Sequence, residues 1–373
     1  MIEGHMTIQR LLAGMRQHGA SDLHIKVGLP PTYRINSELQ TINAEPLTEE
    51  GADHLMDELV PPKLKQRFED TGDLDFATFD ETGDRFRVNM FRTGGHTAVA
   101  IRRVKSEIPT YEALHLPPIY NKLISETGEG LIIVCGVTGS GKSTTLACMI
   151  EHINATRAEH VITIEDPVEY RFARKRSLIS QRELGIDVPD YKAALRYIVR
   201  QDPDVIFIGE MRDHDTVLAA IQAAETGHLV FGSLHTADTM QTFNRILEFF
   251  SREEHDFIRS SLANTMKAIC AQRLLPATPE VGVGAVPATE VLLNNAIVGE
   301  KIREGEDEDL PSILNGAVAE GMRSFTYSLT ELVKKDMVTM RTALDYAPNR
   351  DALQSAIKGV EVKAATLVSR VRG

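Results

Sequence analysis

The sequence has little cysteine, no long apolar run and fewer basic than acidic residues. Its three cysteines, Cys135, Cys148 and Cys270, lie far apart within apolar or helical patterns, which predicts packed reduced thiols and argues against a disulfide framework. No apolar run reaches the ~18 residues of a membrane-spanning helix. No basic leader with an apolar region opens the chain, so we expect a cytoplasmic protein.

The charge balance bears on the kind of partner. The chain carries 41 Lys and Arg against 53 Asp and Glu, a net charge of −12, whereas duplex binding normally requires a clustered positive surface. The basic run at residues 171–176 is the local candidate for such a surface, although a solvated loop or a subunit contact also explains it. We therefore expect no nucleic-acid partner and keep a nucleic-acid translocase as the less favoured alternative.

A length of 373 residues exceeds what one ordinary hydrophobic core supports and suggests two domains with a helical extension. Residues 1–6 are interpreted as a cloning remnant. Residues 7–105 are expected to form a mixed α and β domain, and the proline-containing residues 106–118 a linker. The nucleotide-binding domain is predicted at residues 119–290, followed by a helical segment at residues 291–373.

Two arginines of the N-terminal domain are open to two interpretations. Between Arg85 and Arg92, apolar residues alternate with arginines and asparagine, as in a strand with one buried face. Arg87 and Arg102 could simply belong to the solvated outer face of an antiparallel sheet. Alternatively, they act as arginine fingers on the triphosphate of a neighbouring subunit.

The segment Gly136–Ser143 matches the phosphate-binding pattern G-x-x-x-x-G-K-[ST] and lies between an apolar run, Leu131–Cys135, and a helical stripe of apolar residues. We therefore predict that the chain binds ATP. Lys142 is expected to reach the β and γ phosphates and the Ser143 hydroxyl to ligate Mg²⁺. The predicted nucleotide-binding residues are Gly136, Thr138, Gly139, Ser140, Gly141, Lys142, Ser143 and Thr144.

Further apolar runs in this part of the chain are continuous instead of alternating, as in strands of a mainly parallel sheet covered by helices on both faces. Two of them end in acidic residues. Glu165 directly follows the run Val161–Ile164 and is our candidate for orienting the attacking water. Glu210 follows Val205–Ile208 and is the candidate for holding Mg²⁺ or its water.

Two histidines flank a third apolar run. Zinc binding is one interpretation, but the segment supplies no further ligands. Phosphate sensing is better motivated for His235, which follows the run and is expected beside the nucleotide. His228, which precedes it, could instead make a structural hydrogen bond.

Four segments together resemble the secretion ATPases of type II and type IV pilus systems. They are Gly136–Ser143, Ile164–Tyr170, Gln201–Asp213 and Thr226–Thr236, which correspond to that family's Walker A, Asp-box, Walker B and His-box motifs. The resemblance implies an α/β fold with a RecA-like P-loop domain, a smaller PAS-like α+β N-terminal domain and a C-terminal helical segment. It also implies a homohexameric ring, a catalytic Glu165 and a Walker B acid at Glu210.

Within this family, extension and type II secretion ATPases usually carry a tetracysteine zinc module and an extra N-terminal domain, and we expect neither in this protein. It therefore resembles the retraction branch, which implies a hexameric, Mg²⁺-dependent ATPase that drives pilus retraction. The implied partner is a pilus platform protein at the inner membrane, with a paralogous retraction ATPase as a further partner. Residues 298–304 depart from the AIRNLIRE-like signature of the principal motor, so an accessory retraction ATPase stays open, as does an extension or type II secretion ATPase.

Overall fold

The computed structural model describes residues 6–35, 38–104 and 107–359, which form two units. The proposed cloning remnant lies outside the described residues except for Met6, as does the end of the predicted C-terminal segment. The first unit extends to Glu107 and also includes Glu169–Ala173, whereas Ile108–Val168 and the chain from Arg174 onward form the second. The domain boundaries expected from the sequence stay predictions.

The first unit is an α+β domain built on one antiparallel sheet. Its strand order is β3-β2-β1-β6-β5-β4. Its elements in chain order are α1 (Ile8–Gln17), β1 (Asp22–Lys26), β2 (Thr32–Ile35), β3 (Glu38–Thr41), α2 (Glu49–Leu59), α3 (Pro62–Thr71), β4 (Asp73–Phe79), β5 (Arg85–Thr93) and β6 (His96–Arg103).

Alternation along the strands places the core of this unit on one face of the sheet. In β5, Phe86, Val88 and Met90 are buried between less buried polar neighbours, as the sequence predicts. Helices α1 and α2 contribute buried apolar residues to the same cluster. The prolines between α2 and α3 separate the two helices, and Pro62 occupies a first helical position, where no backbone N–H donor is needed.

The second unit is an α/β domain with a seven-stranded sheet of order β13-β12-β7-β11-β10-β8-β9. All neighbouring strands are parallel except the β12–β13 pair. Its elements up to β13 are α4 (Ile119–Glu126), β7 (Gly130–Cys135), α5 (Lys142–Thr156), β8 (His160–Glu165), β9 (Leu178–Glu183), α6 (Tyr191–Ile198), β10 (Val205–Ile208), α7 (His214–Glu225), β11 (Leu229–Leu234), α8 (Thr239–Glu248), α9 (His255–Thr265), β12 (Met266–Pro276) and β13 (Ala285–Leu293).

The central strands explain the continuous apolar runs of the sequence. Every residue of β7, β10 and β11 is buried, because helices cover both faces of a parallel sheet. Such a sheet brings the carboxyl ends of its parallel strands to one edge, where α/β proteins bind ligands.

Up to residue 359, where the described part of the chain ends, five α-helices follow the sheet: α10 (Ala296–Glu304), α11 (Leu310–Gly316), α12 (Phe325–Lys334), α13 (Met340–Tyr346) and α14 (Arg350–Ile357). Their buried residues Phe325, Leu329 and Leu353 join the core of the second unit. Across the described ranges, no helix has the length and apolar character needed to cross a membrane.

Candidate nucleotide-binding site

The predicted phosphate-binding loop connects the carboxyl end of β7 to the amino end of α5. Strand β7 lies inside the sheet, between β12 and β11, and helix α5 begins at Lys142. A helix amino terminus offers unpaired N–H groups and a favourable dipole for an anion. The strand, loop and helix therefore stand in the arrangement that this motif requires.

The loop passes so close to its neighbours that its first glycine cannot carry a side chain. Gly136 has a φ of +154°, and a Cβ there would lie 2.3 Å from the Ser140 Oγ. Ser140 is buried and its Oγ has no hydrogen-bond partner among the described residues. Thr138 and Gly139 are exposed at the tip, and Ser143 and Thr144 are half-buried in the first turn of α5. This cradle of backbone and hydroxyl groups fits a phosphate chain.

The side chain of Lys142, the first residue of α5, folds back onto the loop that precedes it. Its side chain is buried, and the Nζ donates to the carbonyl oxygen of Gly136 at 2.7 Å and to that of Val137 at 3.3 Å. The ammonium group is therefore held where the loop closes, within reach of a phosphate seated on it.

Glu165 is the last residue of β8 and is buried. Its Oε1 accepts hydrogen bonds from the Thr163 Oγ1 at 2.6 Å and from the Gln181 Nε2 at 3.2 Å. Two donors on one carboxylate oxygen fix the orientation of the group. Glu165, which the sequence predicts to orient the attacking water, therefore has a fixed carboxylate at the edge of the sheet.

Glu210 follows β10 by two residues, and an arginine and a histidine side chain lie beside its carboxylate. The Arg212 Nη2 lies 2.6 Å and the His235 Nε2 3.6 Å from its Oε2. Burial opposes ionisation of Glu210, but the hydrogen bond from Arg212 and the charges of His235 and Lys142 outweigh it and hold the pKa below its usual range. Glu210 is therefore an anion at neutral pH.

Backbone hydrogen bonds join the strand ends that carry these side chains. The Gly209 N–H donates to the Ile164 carbonyl oxygen at 2.7 Å, and the Met211 N–H donates to that of Ser233 at 3.0 Å. Leu234 pairs with Cys135 in register, so His235 and Gly136 leave the sheet at the same level. The structure therefore brings Lys142, Glu165, Glu210 and His235 to one edge.

His228 lies at the opposite end of the same strand. It precedes β11, and its Nδ1 is 2.9 Å from the Ala223 carbonyl oxygen and 3.1 Å from the Thr226 Oγ1. The six residues of β11 lie between it and His235, and seven rises of an extended chain span roughly 23 Å. His228 therefore makes a structural hydrogen bond at the end of the sheet away from the phosphate-binding loop.

Over the described ranges, no group of three His, Cys, Asp or Glu side chains is placed to hold a metal.

Arg87 and Arg102 are direct cross-strand partners on β5 and β6 of the first unit. Arg102 donates from its Nε to the Asp22 Oδ1 at 2.8 Å, and its side chain is 69% exposed. Arg87 is half-buried. The two guanidinium groups thus share one face of the antiparallel sheet, which fits both interpretations offered by the sequence.

The basic run at residues 171–176 is an exposed loop for most of its length. Arg171 donates to the Gly83 carbonyl oxygen and stacks on the Phe79 ring at 5.3 Å from its centroid. Lys175 forms an ion pair with Glu151 at 2.5 Å. These contacts match the expected solvated loop.

The sequence did not point to three polar residues that support the site. Gln272 on β12 donates a hydrogen bond to the Ser140 carbonyl oxygen of the phosphate-binding loop. Glu290 accepts from the N–H and hydroxyl of Thr239, at the start of α8. Arg273 donates to the Ala237 carbonyl oxygen at 3.4 Å. Because polar residues are rare in buried strands, a glutamine and an arginine within the apolar run of β12 were the available signal.

The comparisons with known proteins agree with this geometry. The family model described as type II/IV secretion system protein matches residues 5–304. The chain belongs to this family. It is 37% identical over 343 residues to the type IV pilus retraction ATPase PilT of Pseudomonas aeruginosa, which covers 92% of this chain and 98% of that protein. It is 36% identical over 369 residues to the type IV pilus ATPase PilU of the same organism, covering 99% and 96%.

A crystal structure of the pilus retraction motor PilT with bound ADP matches with a TM-score of 0.86 and 38% identity, over 94% of this chain and 99% of that one. The fold of this member of the secretion ATPase family is therefore a RecA-like ATPase domain preceded by an N-terminal α+β domain, as expected from the sequence.

Proposed function

We propose that this protein is a hexameric ATPase motor that hydrolyses ATP to drive type IV pilus retraction. The observation that carries the proposal is the convergence of the phosphate-binding loop with Glu165, Glu210 and His235 at one sheet edge, in a chain with full-length similarity to a retraction ATPase. This edge is the binding edge of α/β proteins.

ATP is held through its phosphates. Backbone N–H groups from Gly139 to Thr144 surround the β and γ phosphates at the start of α5, and the Lys142 ammonium exchanges its carbonyl partners for phosphate oxygens. Mg²⁺ bound with the nucleotide would be held by the Ser143 hydroxyl and, directly or through water, by Glu210, and it would neutralise phosphate charge.

Hydrolysis needs a positioned water molecule. Glu165 accepts a hydrogen bond from this water and orients its oxygen toward the γ phosphorus, because Thr163 and Gln181 already fix the carboxylate. His235, paired with Glu210, is a donor beside the phosphate end of the site and reports whether the γ phosphate is present.

Arg87 and Arg102 complete the site of the adjacent subunit in a homohexamer. Arginines supplied by a neighbour stabilise the charge that develops on the transferred phosphoryl group. Ring closure provides every site with a neighbour. Arg102 is exposed enough for this role despite its bond to Asp22, since a surface ion pair contributes little and exchanges readily.

Successive hydrolysis events around the ring act on a platform protein of the pilus base, and the motor is cytoplasmic and peripheral at the inner membrane. A second candidate is the accessory retraction ATPase. It is supported by the similarity of this chain, over 99% of its length, to PilU, a second type IV pilus ATPase of the organism that has PilT. In that case the protein works beside a paralogous retraction ATPase.

The test of the ATPase is the steady-state hydrolysis rate per subunit measured against protein concentration, with light scattering on the same samples. We expect the rate to rise as hexamers form and to be indifferent to added DNA. Replacement of Lys142 by Ala or Glu165 by Gln should abolish turnover. Full activity in a monomer, DNA-stimulated activity, or an active Glu165→Gln protein would contradict the proposal.

The test of the cellular role is complementation in two strains, one lacking its principal retraction ATPase and one lacking the accessory enzyme. Restored twitching in the first strain supports the principal role, and restoration in the second alone supports the accessory role. Failure in both by a protein that hydrolyses ATP would overturn the retraction assignment.

A further inference from the structure

Gln272 lies beneath the phosphate-binding loop and contacts it from a different strand. It belongs to β12, which runs parallel to β7, and the residue before it pairs with Cys135 at the end of β7. Only 1% of Gln272 is exposed. A buried amide so close to the loop must have its donor and acceptor satisfied, because an unpaired buried polar group is costly.

Both ends of this amide are bonded to the loop and its helix. The Gln272 Nε2 donates to the backbone carbonyl oxygen of Ser140 at 2.6 Å, and its Oε1 accepts from the Thr145 Oγ1 at 2.9 Å. Ser140 belongs to the loop and Thr145 to the first turns of α5. One side chain therefore joins the two parts of the phosphate-binding motif.

The loop is also packed directly on Gln272. A Cβ on Gly136 would lie 2.6 Å from the backbone carbonyl oxygen of Gln272, and one on Gly141 would lie 2.9 Å from its side-chain Nε2. Gly141 also has a φ of +89°, which a side chain would strain. Two glycines of the motif are thus required by the approach to Gln272.

The bond to Ser140 sets the direction of a group that binds phosphate. In a planar trans peptide the carbonyl and the following N–H point in opposite directions. Because Gln272 holds the Ser140 oxygen on the inner side of the loop, the Gly141 N–H points to the other side. We propose that Gln272 is a positioning residue that holds the phosphate-binding loop, and the Gly141 N–H in particular, ready for the phosphates of the nucleotide. The proposal rests on the nucleotide binding proposed above.

The test compares two variants. Gln272→Met keeps the length of the side chain and removes both hydrogen bonds. Gln272→Glu replaces the donating amide nitrogen by a carboxylate oxygen, which faces the Ser140 carbonyl oxygen and cannot donate to it when ionised. Gln222→Met, on an exposed surface of α7, is the matched control. Fluorescent ADP is titrated into each protein, and KM and kcat for ATP are measured. For both Gln272 variants we expect ADP affinity to fall and KM to rise about tenfold or more, with kcat within a few-fold of its original value.

A merely structural role would give a different result, because partial unfolding lowers the active fraction, and therefore kcat, without changing KM or the affinity of the folded molecules. That result, or unchanged affinity in both variants, overturns the proposal. Should Gln272→Glu not fold, Gln272→Met decides. The ADP titration needs no turnover, so failure of the ATPase proposal remains distinguishable from failure of this one.

Discussion

The hydrogen bond from Thr163 to Glu165 allows the catalytic assignment to be tested without removing the carboxylate. Thr163 is fully buried, and its Oγ1 lies 2.6 Å from the Glu165 Oε1. A Thr163→Val substitution keeps the size and branching of the side chain and removes only the donor. A hydrogen bond to a charged group contributes about 1.5–3 kcal/mol. Because Gln181 still donates to the same oxygen, we take the lower end of this range.

A loss of about 1.5 kcal/mol in the orientation of the attacking water corresponds to a fall of about tenfold in kcat. KM should stay unchanged, since the Thr163 hydroxyl bonds Glu165 on the same strand and not the phosphate-binding loop. The assay is steady-state phosphate release at saturating and at limiting ATP, with thermal unfolding measured on the same preparations.

The matched control is Thr289→Val on β13 of the same sheet. Thr289 is also fully buried, but its Oγ1 has no hydrogen-bond partner within the described part of the chain. Replacing an unpaired buried hydroxyl by a methyl group is expected to be neutral or slightly stabilising, with kcat unchanged. If kcat fell equally in both variants, or in neither, the reasoning about Glu165 would be refuted.

Three further substitutions give separate tests. Because the Arg212 bond helps to hold the pKa of Glu210 below its usual range, the ionised carboxylate stabilises the fold above about pH 4.3, and this is lost as the pH falls through the lowered value. The gap in unfolding free energy between the original protein and Arg212→Met, from urea titrations, should therefore shrink from pH 7 to pH 3. Arg102→Gln should lower the hydrolysis rate of assembled hexamers at least tenfold. Arg103→Gln should not, because the Arg103 side chain is only 20% exposed and both its Nε and its Nη2 are bonded to Asp84. Gly136→Ala should abolish binding of fluorescent ADP because its Cβ would collide with the loop, and normal affinity would contradict this description.

Much of the second unit was predictable because its signals are local. The phosphate-binding motif between an apolar strand and a helix indicated the loop, and continuous apolar runs indicated the central strands. The edge strand β9 was missed because it carries Ser180, Gln181 and Arg182, whose polar side chains do not form an apolar run. Strand β12 was missed for a related reason, since its apolar residues could equally belong to a helix.

The supporting residues of the site could not be predicted in the same way. Gln181, Gln272 and Glu290 lie on strands distant in sequence from the groups that they bond. Gln272 stands out only as a polar residue within an apolar run, and the local sequence does not show which groups any of the three residues bonds. The two interpretations of His228 likewise became distinguishable only when the sheet placed it at the end of β11 opposite His235.

The amino-acid sequence alone determined the class of ligand and the covalent order of the site. A glycine-rich loop followed by a lysine offers a phosphate backbone N–H groups and a positive charge, and acids after apolar strands must emerge at the strand ends. Only the tertiary structure decided which side chains orient Glu165, which strand supports the loop and which face carries Arg87 and Arg102. Those contacts join residues far apart in the chain, and they exist only after the sheet has set its strand order and register.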